Sequence, residues 1–599
     1  MEWVDSVSVS RNSRRTPGSV RVFTAPLQNF DIKQGEAMKT ERPDGLEAGV
    51  AAAFAAVAAA AFLFSGVFSF MAPGGAWLNA PLGARLWVES DPGGYYLLSA
   101  ASLYSSGGRL LYPGHPGLPL QVLLNAVESV SYALRAPADA RFGFAAFLAK
   151  RSAHVFFLSK MLITGLHVFS FALLYLFARR LLGRTRAALL AAFAYATSLP
   201  PLYYLSRVSV EPLMMIFFFS LFLCVWRSLE ETQRRRAGAA AWWSALGGAA
   251  SVAGLATKFH LLWPLPLLGF GHLLLGDDLP GARGGAARVR ARVPAAAAFA
   301  AAAFAALAST TSILDWRDFF GYWGVGGMGG GSWVAGAAGL VARQAGVVAE
   351  LARGVGRMPA AAYVPGATKT GLYLFCELPL LGFAAFGAVR LFRRAEERRG
   401  RWLWPAAGVG YTLLIWAYRC FAVSGDFHGF HYLFVFTAFC AVFFGEAADA
   451  LLARFGPAAG SRAALAAAAV LLAAVHAVPL WAVFDGRVRD TFFYAQVGAL
   501  DEARGRLAAG ERVALIGLSP EAAVAASGLG VIRFTPPDRS AVLEELAGDY
   551  VATDRAGLEK LLAAPGARPV GAVVALANVA GVPTVTGPFE PARWLVTAR

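Results

Sequence analysis

Runs of about twenty apolar residues recur along this chain and limit its possible folds more than any other feature. Each is long enough, as a helix, to cross the roughly 30 Å hydrocarbon core of a bilayer. About eleven are read, near 49–71, 153–178, 187–205, 211–228, 239–256, 259–275, 294–312, 371–391, 402–422, 430–450 and 463–483. A soluble chain would carry roughly a quarter charged residues; this one has 15%, against 57% hydrophobic. The fold class expected is a mainly α, polytopic membrane protein.

The net charge of +16 on a soluble chain would point to nucleic acid. Here the basic residues cluster between spans and act as topology signals, so no nucleic-acid partner is expected. Arg179, Arg180, Arg184 and Arg186 follow the second span, and Arg227, Arg234, Arg235 and Arg236 the fourth. Arg283, Arg288, Arg290 and Arg292 follow the sixth, and Arg390, Arg393, Arg394, Arg398, Arg399 and Arg401 the eighth. The intervening short loops hold single basic residues such as Arg207 and Lys258. This alternation places the N-terminus in the cytoplasm and the C-terminus outside a cytoplasmic-type membrane.

The first run is too long and too far into the chain for an ordinary cleaved signal sequence, so it reads as a retained anchor. Residues 1–46 are then a loosely ordered cytoplasmic tail, and 47–483 the transmembrane domain with long outer loops at 72–152 and 313–370. The first loop has helical apolar spacing (Tyr95, Leu98, Leu103; Leu120, Leu123, Leu124), as in juxtamembrane helices. The second mixes interfacial aromatics with glycines. In 484–599, RVALIG, GVIRF, DYVATD and GAVVALA read as strands between helical stretches, a small extracytoplasmic α/β domain. GLSPEAAVAASG is not a GxGxxG fingerprint, so no dinucleotide is assigned. Cys224, Cys376, Cys420 and Cys440 lack ligand or disulfide spacing.

Chemistry-bearing residues gather at outward ends of spans. Asp91, beside a Pro-Gly-Gly bend in ESDPGGYYLLSAASLYSSGGRLLYPGHPGLPL, is a candidate general base; the bland alternative is a helix N-cap. Glu89 is a weaker rival. Arg207 in YYLSRVSVEP and Lys258 in ATKFHLLWP are candidate anion-holding cations, or snorkelling rim residues. Lys160 lies inside the second span, where pairing with Glu211 or Glu377 would be its structural explanation. SGDFHGFHYLF brings Asp426, His428, His431 and Tyr432 near one another; two His three apart suit one helix face, but a third metal ligand is missing. A divalent cation is therefore only an open option, and no cofactor is assigned. His115 before Pro116 suits a turn. Asp277 and Asp278 fall on the cytoplasmic side and are set aside.

Taken in order, these segments resemble the GT-C membrane glycosyltransferases, particularly family 39 with its protein O-mannosyltransferases, and the lipid A aminoarabinose transferases. The acid after the first span, then Tyr95, Tyr96, Gly107, Gly108, His115 and Pro116, looks like that family's first outer loop. RSAHVFFLSKMLITGLHVFSFALLYLFARRLLG is similar to its second span, LSRVSVEPL to its Ser-Arg and acid segment, and ATKFHLLWPLPLL to its Thr-Lys segment. FHGFHYLF sits where Arg-Tyr often precedes a late span. The resemblance spans roughly 47–480 and departs at Pro92 for a second acid, Gly117 for Pro, and His431 for Arg.

The resemblance implies an inverting transfer of sugar from a polyprenyl-phosphate-linked donor to an acceptor hydroxyl outside the membrane. Asp91 would be the base; Arg207, Lys258 and Lys160 would hold phosphate. Tyr95, Tyr96, His115, Glu211, His428, His431 and Tyr432 would shape the pocket. Expected partners are that donor and membrane lipids, with the acceptor undetermined among protein, lipid and polysaccharide. The competing readings are a lipid or solute transporter or flippase, and a scaffold whose outer domain binds a partner.

Overall fold

The computed structural model describes residues 93–105, 117–144, 147–148, 152–205, 208–276, 285–310, 313, 369–394, 399–418 and 430–454, with five short strands between 513 and 596. The expected spans 49–71 and 463–483 and the tail 1–46 lie outside them, as does almost all of loop 313–370.

Two helices of the 72–152 segment come first, α1 (Gly93–Ser105) and α2 (Leu118–Ala133). The bundle follows with α3 (Ser152–Leu182), α4 (Thr185–Ala196), α5 (Leu199–Tyr204), α6 (Glu211–Gln233) and α7 (Ala237–Thr257). It continues with α8 (Phe259–Leu262), α9 (Leu265–Leu275), α10 (Gly285–Thr310), α11 (Lys369–Arg394), α12 (Arg399–Tyr418) and α13 (Phe434–Arg454). Among the described residues, five segments are long and apolar enough to cross a membrane: Phe157–Leu182, Glu211–Gln233, Ala237–Thr257, Val289–Thr310 and His431–Arg454.

Two expected spans are not continuous. The 187–205 run breaks after α4: Ser198 is extended (φ −71, ψ 152), and Pro200 and Pro201, which cannot donate to a helix already under way, instead start α5. The 259–275 run breaks at Trp263–Pro264 into the one-turn α8 and the 11-residue α9. Hydropathy over a window does not register these breaks because both halves are equally apolar.

Helices α6 and α7, α7 and α10, α11 and α13, and α4 and α13 form the main packing pairs. Phe177, Phe219, Trp226 and Phe439 fill the centre, with Phe177 stacked on Trp226 at 5.0 Å between centroids. Where α11 meets α13 the backbones nearly touch: a Cβ on Gly387 would lie 1.8 Å from the Phe443 carbonyl oxygen. Such close approach suits apolar helices, whose association rests on packing rather than on exclusion of water.

One end of the bundle is tied by arginine–carboxylate pairs. Arg184 binds both Glu446 and Asp449 across to α13, and Arg186 also binds Asp449. Arg390 of α11 lies 3.7 Å from Glu446, and Arg180 reaches Glu230 of α6 at 3.0 Å. The basic clusters after the second, fourth and eighth expected spans therefore meet at one end of the bundle. Along α6, Glu211 precedes Glu230 by 19 residues (230 − 211). That is about 28 Å at 1.5 Å per residue, close to a hydrocarbon thickness. Glu211 thus marks the opposite end.

Helix α2 is anchored at that opposite end. The Gly117 amide donates to the Ala256 carbonyl at 3.1 Å, and Asn125 Nδ2 to the Ala100 carbonyl of α1 at 2.8 Å. Gly117 has φ +113, and a Cβ there would lie 2.5 Å from Tyr96 and 2.8 Å from Val210. Only glycine both adopts that backbone and leaves room for the tyrosine. Gln121 and Glu128, two turns apart on α2, are fully buried, and among the described residues none of their four side-chain polar atoms has a hydrogen-bond partner. Burial alone raises the Glu128 carboxyl well above its ordinary 4.5.

The described strands are β1 (Val513–Ile516), β2 (Ile532–Phe534), β3 (Asp549–Ala552), β4 (Ala572–Ala575) and β5 (Trp594–Val596). They form one sheet in the order β2-β3-β1-β4-β5, parallel except for β5 against β4. Leu515 stands opposite Val551 on one side and Val574 on the other. The first four strands fall on the four segments read from the sequence. The helical stretches expected between them lie outside the described residues.

Gly117→Ala should cost about 2 kcal/mol or more, from the positive φ and the displaced tyrosine. An unchanged melting temperature in detergent would contradict this. For Glu128, the folded chain keeps a proton that the unfolded chain releases above pH 4.5. Its contribution is complete below that pH and is lost as pH rises toward the folded value. Glu128→Gln should therefore melt a few degrees above the unsubstituted protein at pH 8 and match it near pH 4.5. A pH-independent difference would exclude this cause.

Candidate active site

The site is built where three helices end or begin. Helix α6 opens with Glu211-Pro212, the proline in the first turn where its missing N–H costs nothing and the glutamate at the positive end of the helix dipole. Helix α7 stops at Thr257, and Lys258 departs from helical geometry (φ −152, ψ 78) before α8 begins. That turn carries the lysine to the start of α6. Its Nζ lies 2.5 Å from Glu211 Oε1, with both side chains almost completely buried. The ammonium also lies 5.8 Å from the ring centre of Tyr432, on the single 3-10 turn Phe430–Leu433 that leads into α13.

Aromatic and imidazole rings close one side. Tyr204 OH and His431 Nδ1 are hydrogen-bonded at 3.2 Å, and the His431 and Tyr432 rings lie 4.2 Å apart. Phe434 packs between Tyr204 and His167 of α3. His167 and Tyr195 are fully buried and within electrostatic range of Glu211. Among the described residues, Glu211 Oε2, Ser209 Oγ and Tyr195 OH are buried without hydrogen-bond partners. Lys160, 5% exposed, lies on α3 one turn before Thr164, whose hydroxyl donates to the carbonyls of Lys160 and Leu205.

The structure brings Lys258, Glu211, His431 and Tyr432 together, as the sequence expectations grouped them. Tyr96 lies close by: a Cβ added at Gly117 would meet both Tyr96 and Val210, the residue before Glu211, and the Gly117 amide bonds Ala256, two residues before Lys258. One detail differs from expectation. The ion pair found at Glu211 is with Lys258, a residue expected to be kept for phosphate. Glu377 also accepts the Leu199 amide at 2.6 Å, meeting a backbone group that the α4–α5 break would otherwise leave unbonded. Tyr95 lies on α1, and nothing is described of its side chain. Asp91, Arg207, His115 and His428 lie outside the described residues.

Sequence reading passed over His167, Tyr195, Tyr204 and Ser209. His167 had a usable signal, an ionisable residue inside an apolar span. The tyrosines gave none, being indistinguishable from interfacial aromatics. Among the described residues no three His, Cys, Asp or Glu side chains are grouped to hold a metal, and Cys224, Cys376 and Cys440 are free and buried.

No protein-family model matches this chain, and no curated protein does. Among solved structures it is similar to ArnT from Cupriavidus metallidurans bound to undecaprenyl phosphate, at 14% identity and TM-score 0.42, over 91% of this chain and 97% of that one. It is also similar to the archaeal oligosaccharyltransferase AglB from Archaeoglobus fulgidus, in complex with an inhibitory peptide and a dolichol-phosphate, at 15% identity and TM-score 0.36. That alignment covers 80% of this chain and 63% of that one. ArnT in the apo state aligns at 15% identity and TM-score 0.39, over 92% and 97%.

Proposed function

We propose that this chain is an integral membrane glycosyltransferase that moves a sugar from a polyprenyl-phosphate-linked donor to an acceptor hydroxyl, with inversion, on the extracytoplasmic side. The observation that carries this reading is the buried Lys258–Glu211 pair, ringed by Tyr432, His431 and Tyr204, at the end of the bundle away from the arginine–carboxylate ties. The basic ends mark the cytoplasmic side by charge bias, which makes the lysine end the outer one. The sequence resemblance assigns phosphate to the same Lys258.

In this reading Asp91, two residues before α1, removes the proton of the acceptor hydroxyl as its oxygen attacks the anomeric carbon. The bond from that carbon to the phosphate oxygen breaks, and its electron pair leaves on the phosphate. Lys258, Lys160 and Arg207 meet the growing negative charge in a site from which water is largely excluded. The products are the glycosylated acceptor and the polyprenyl phosphate; the Asp91 proton returns to solvent. Tyr95, Tyr96, His115, His428, His431 and Tyr432 shape the pocket. Loop 313–370 serves as lid or acceptor entry, and the C-terminal sheet belongs to an outer domain that guides the acceptor or steadies the fold.

The breaks at α4–α5 and α8–α9 favour one alternative, since carriers also use interrupted helices. Asp91→Asn separates the two. Given a panel of labelled polyprenyl-phosphate sugars, the variant should melt as the parent does and still bind donor, while transfer falls at least about 100-fold. Transfer at the parental rate would remove Asp91 as the base. Label that crosses a vesicle membrane without leaving its lipid, equally in parent and variant, would favour the carrier.

A further inference from the structure

The Lys258–Glu211 pair presents a difficulty for any phosphate ligand: the cation at the centre of the site is already occupied. Glu211 Oε1 lies 2.5 Å from Nζ, and the two side chains are 8% and 4% exposed for lysine and glutamate. An incoming phosphate cannot gain the full attraction of Lys258 without displacing this carboxylate or sharing the ammonium with it. The other oxygen of the same carboxylate has unused hydrogen-bonding capacity. So do two hydroxyl groups on neighbouring segments, Ser209 Oγ two residues earlier and Tyr195 OH on α4. Tyr195 lies within electrostatic range of Glu211, at a position where an uncompensated carboxylate would be strongly disfavoured.

We propose that Glu211 is a specificity-determining residue that stands in for phosphate on Lys258, so that the lysine is released fully only to a phosphate group carrying two negative charges. This rests on the reading of Lys258 as a phosphate-holding residue and goes beyond it by giving its neighbour a role. A lipid-linked sugar phosphate is a diester with one negative charge; the lipid phosphate left after transfer is a monoester that carries up to two. An internal carboxylate competes well against the first and poorly against the second. Lys258 then shifts from Glu211 to the phosphate as charge builds on the leaving oxygen, an interaction stronger in the transition state than in the bound donor. A purely structural ion pair has no reason to distinguish the two phosphate esters.

The test uses the purified full-length chain in detergent, with undecaprenyl phosphate and its methyl ester as monoester and diester probes. The unsubstituted protein should bind the monoester more tightly. Glu211→Gln should tighten binding of the monoester by about tenfold and of the diester by less, because the monoester no longer spends affinity on displacing Glu211, whereas the diester gains only its own weaker attraction to Lys258. Glu211→Asp, which keeps the charge and shortens its reach, should fall between. Melting curves confirm that each variant is folded, and if Glu211→Gln does not fold, the aspartate variant carries the test. Equal tightening for both esters, no change, or weaker binding in the folded variants would overturn the proposal. Lys258→Ala reports on the underlying reading: if it leaves both affinities unchanged, Lys258 holds no phosphate. If Lys258→Ala weakens binding while the Glu211 variants do not discriminate, only the inference about Glu211 falls.

Discussion

A lysine and a glutamate held 2.5 Å apart, with almost no water reaching either, set the terms for this molecule. Removing two charges from water is costly, and their mutual attraction offsets that cost only where the geometry is fixed. Several features of the bundle supply that geometry. Helix α7 ends at Thr257 so that Lys258 can turn inward; α6 starts at Glu211, where its dipole favours a negative side chain. The 3-10 turn before α13 places the Tyr432 ring beside the ammonium. A hydrophobic pair of similar volume would hold these helices as well or better, so stability alone does not account for these ions. A ligand does.

The opposite end shows the contrast. There Arg184 and Arg186 converge on Glu446 and Asp449, and Arg180 on Glu230, with the arginines a quarter to a third exposed. Each carboxylate there is met by at least one guanidinium, and together they join α3, α4, α6 and α13 at one level. These contacts behave as a structural tie. Among the described residues, the lysine end leaves Glu211 Oε2, Ser209 Oγ and Tyr195 OH without hydrogen bonds in a buried setting; at the arginine end Glu231 Oε2 and Arg390 Nε also lack one, but each has an ionic partner at 3.7 Å. Native proteins leave few such atoms, and those they leave tend to mark ligand or water sites.

The division between what the sequence disclosed and what it hid follows from range. Helices such as α3, α6, α7 and α13 were legible because apolar length and basic flanks are local properties. The interruptions at Thr197–Ser198 and Trp263–Pro264 were written in the prolines, but a window that averages hydropathy passes over them. Lys258, Glu211, His431 and Tyr432 could be named as polar residues at span ends. Their pairing could not, because Lys258 and Glu211 are 47 residues apart and their contact depends on how α7 ends. Gln121 and Glu128 were read past for the opposite reason: on a helix taken to lie at the surface, polar residues raise no question until burial shows them enclosed.

The account depends on phosphate being held at the lysine end of the bundle, and a cryo-electron microscopy structure of the full chain with undecaprenyl phosphate tests that most directly. It predicts the phosphate within about 4 Å of Lys258 Nζ, the reach of an ion pair, with the lipid tail along the apolar flank of the bundle. A phosphate seated among Arg184 and Arg186 instead, or one out of reach of Lys258 while the Glu211 contact stays closed, would contradict it.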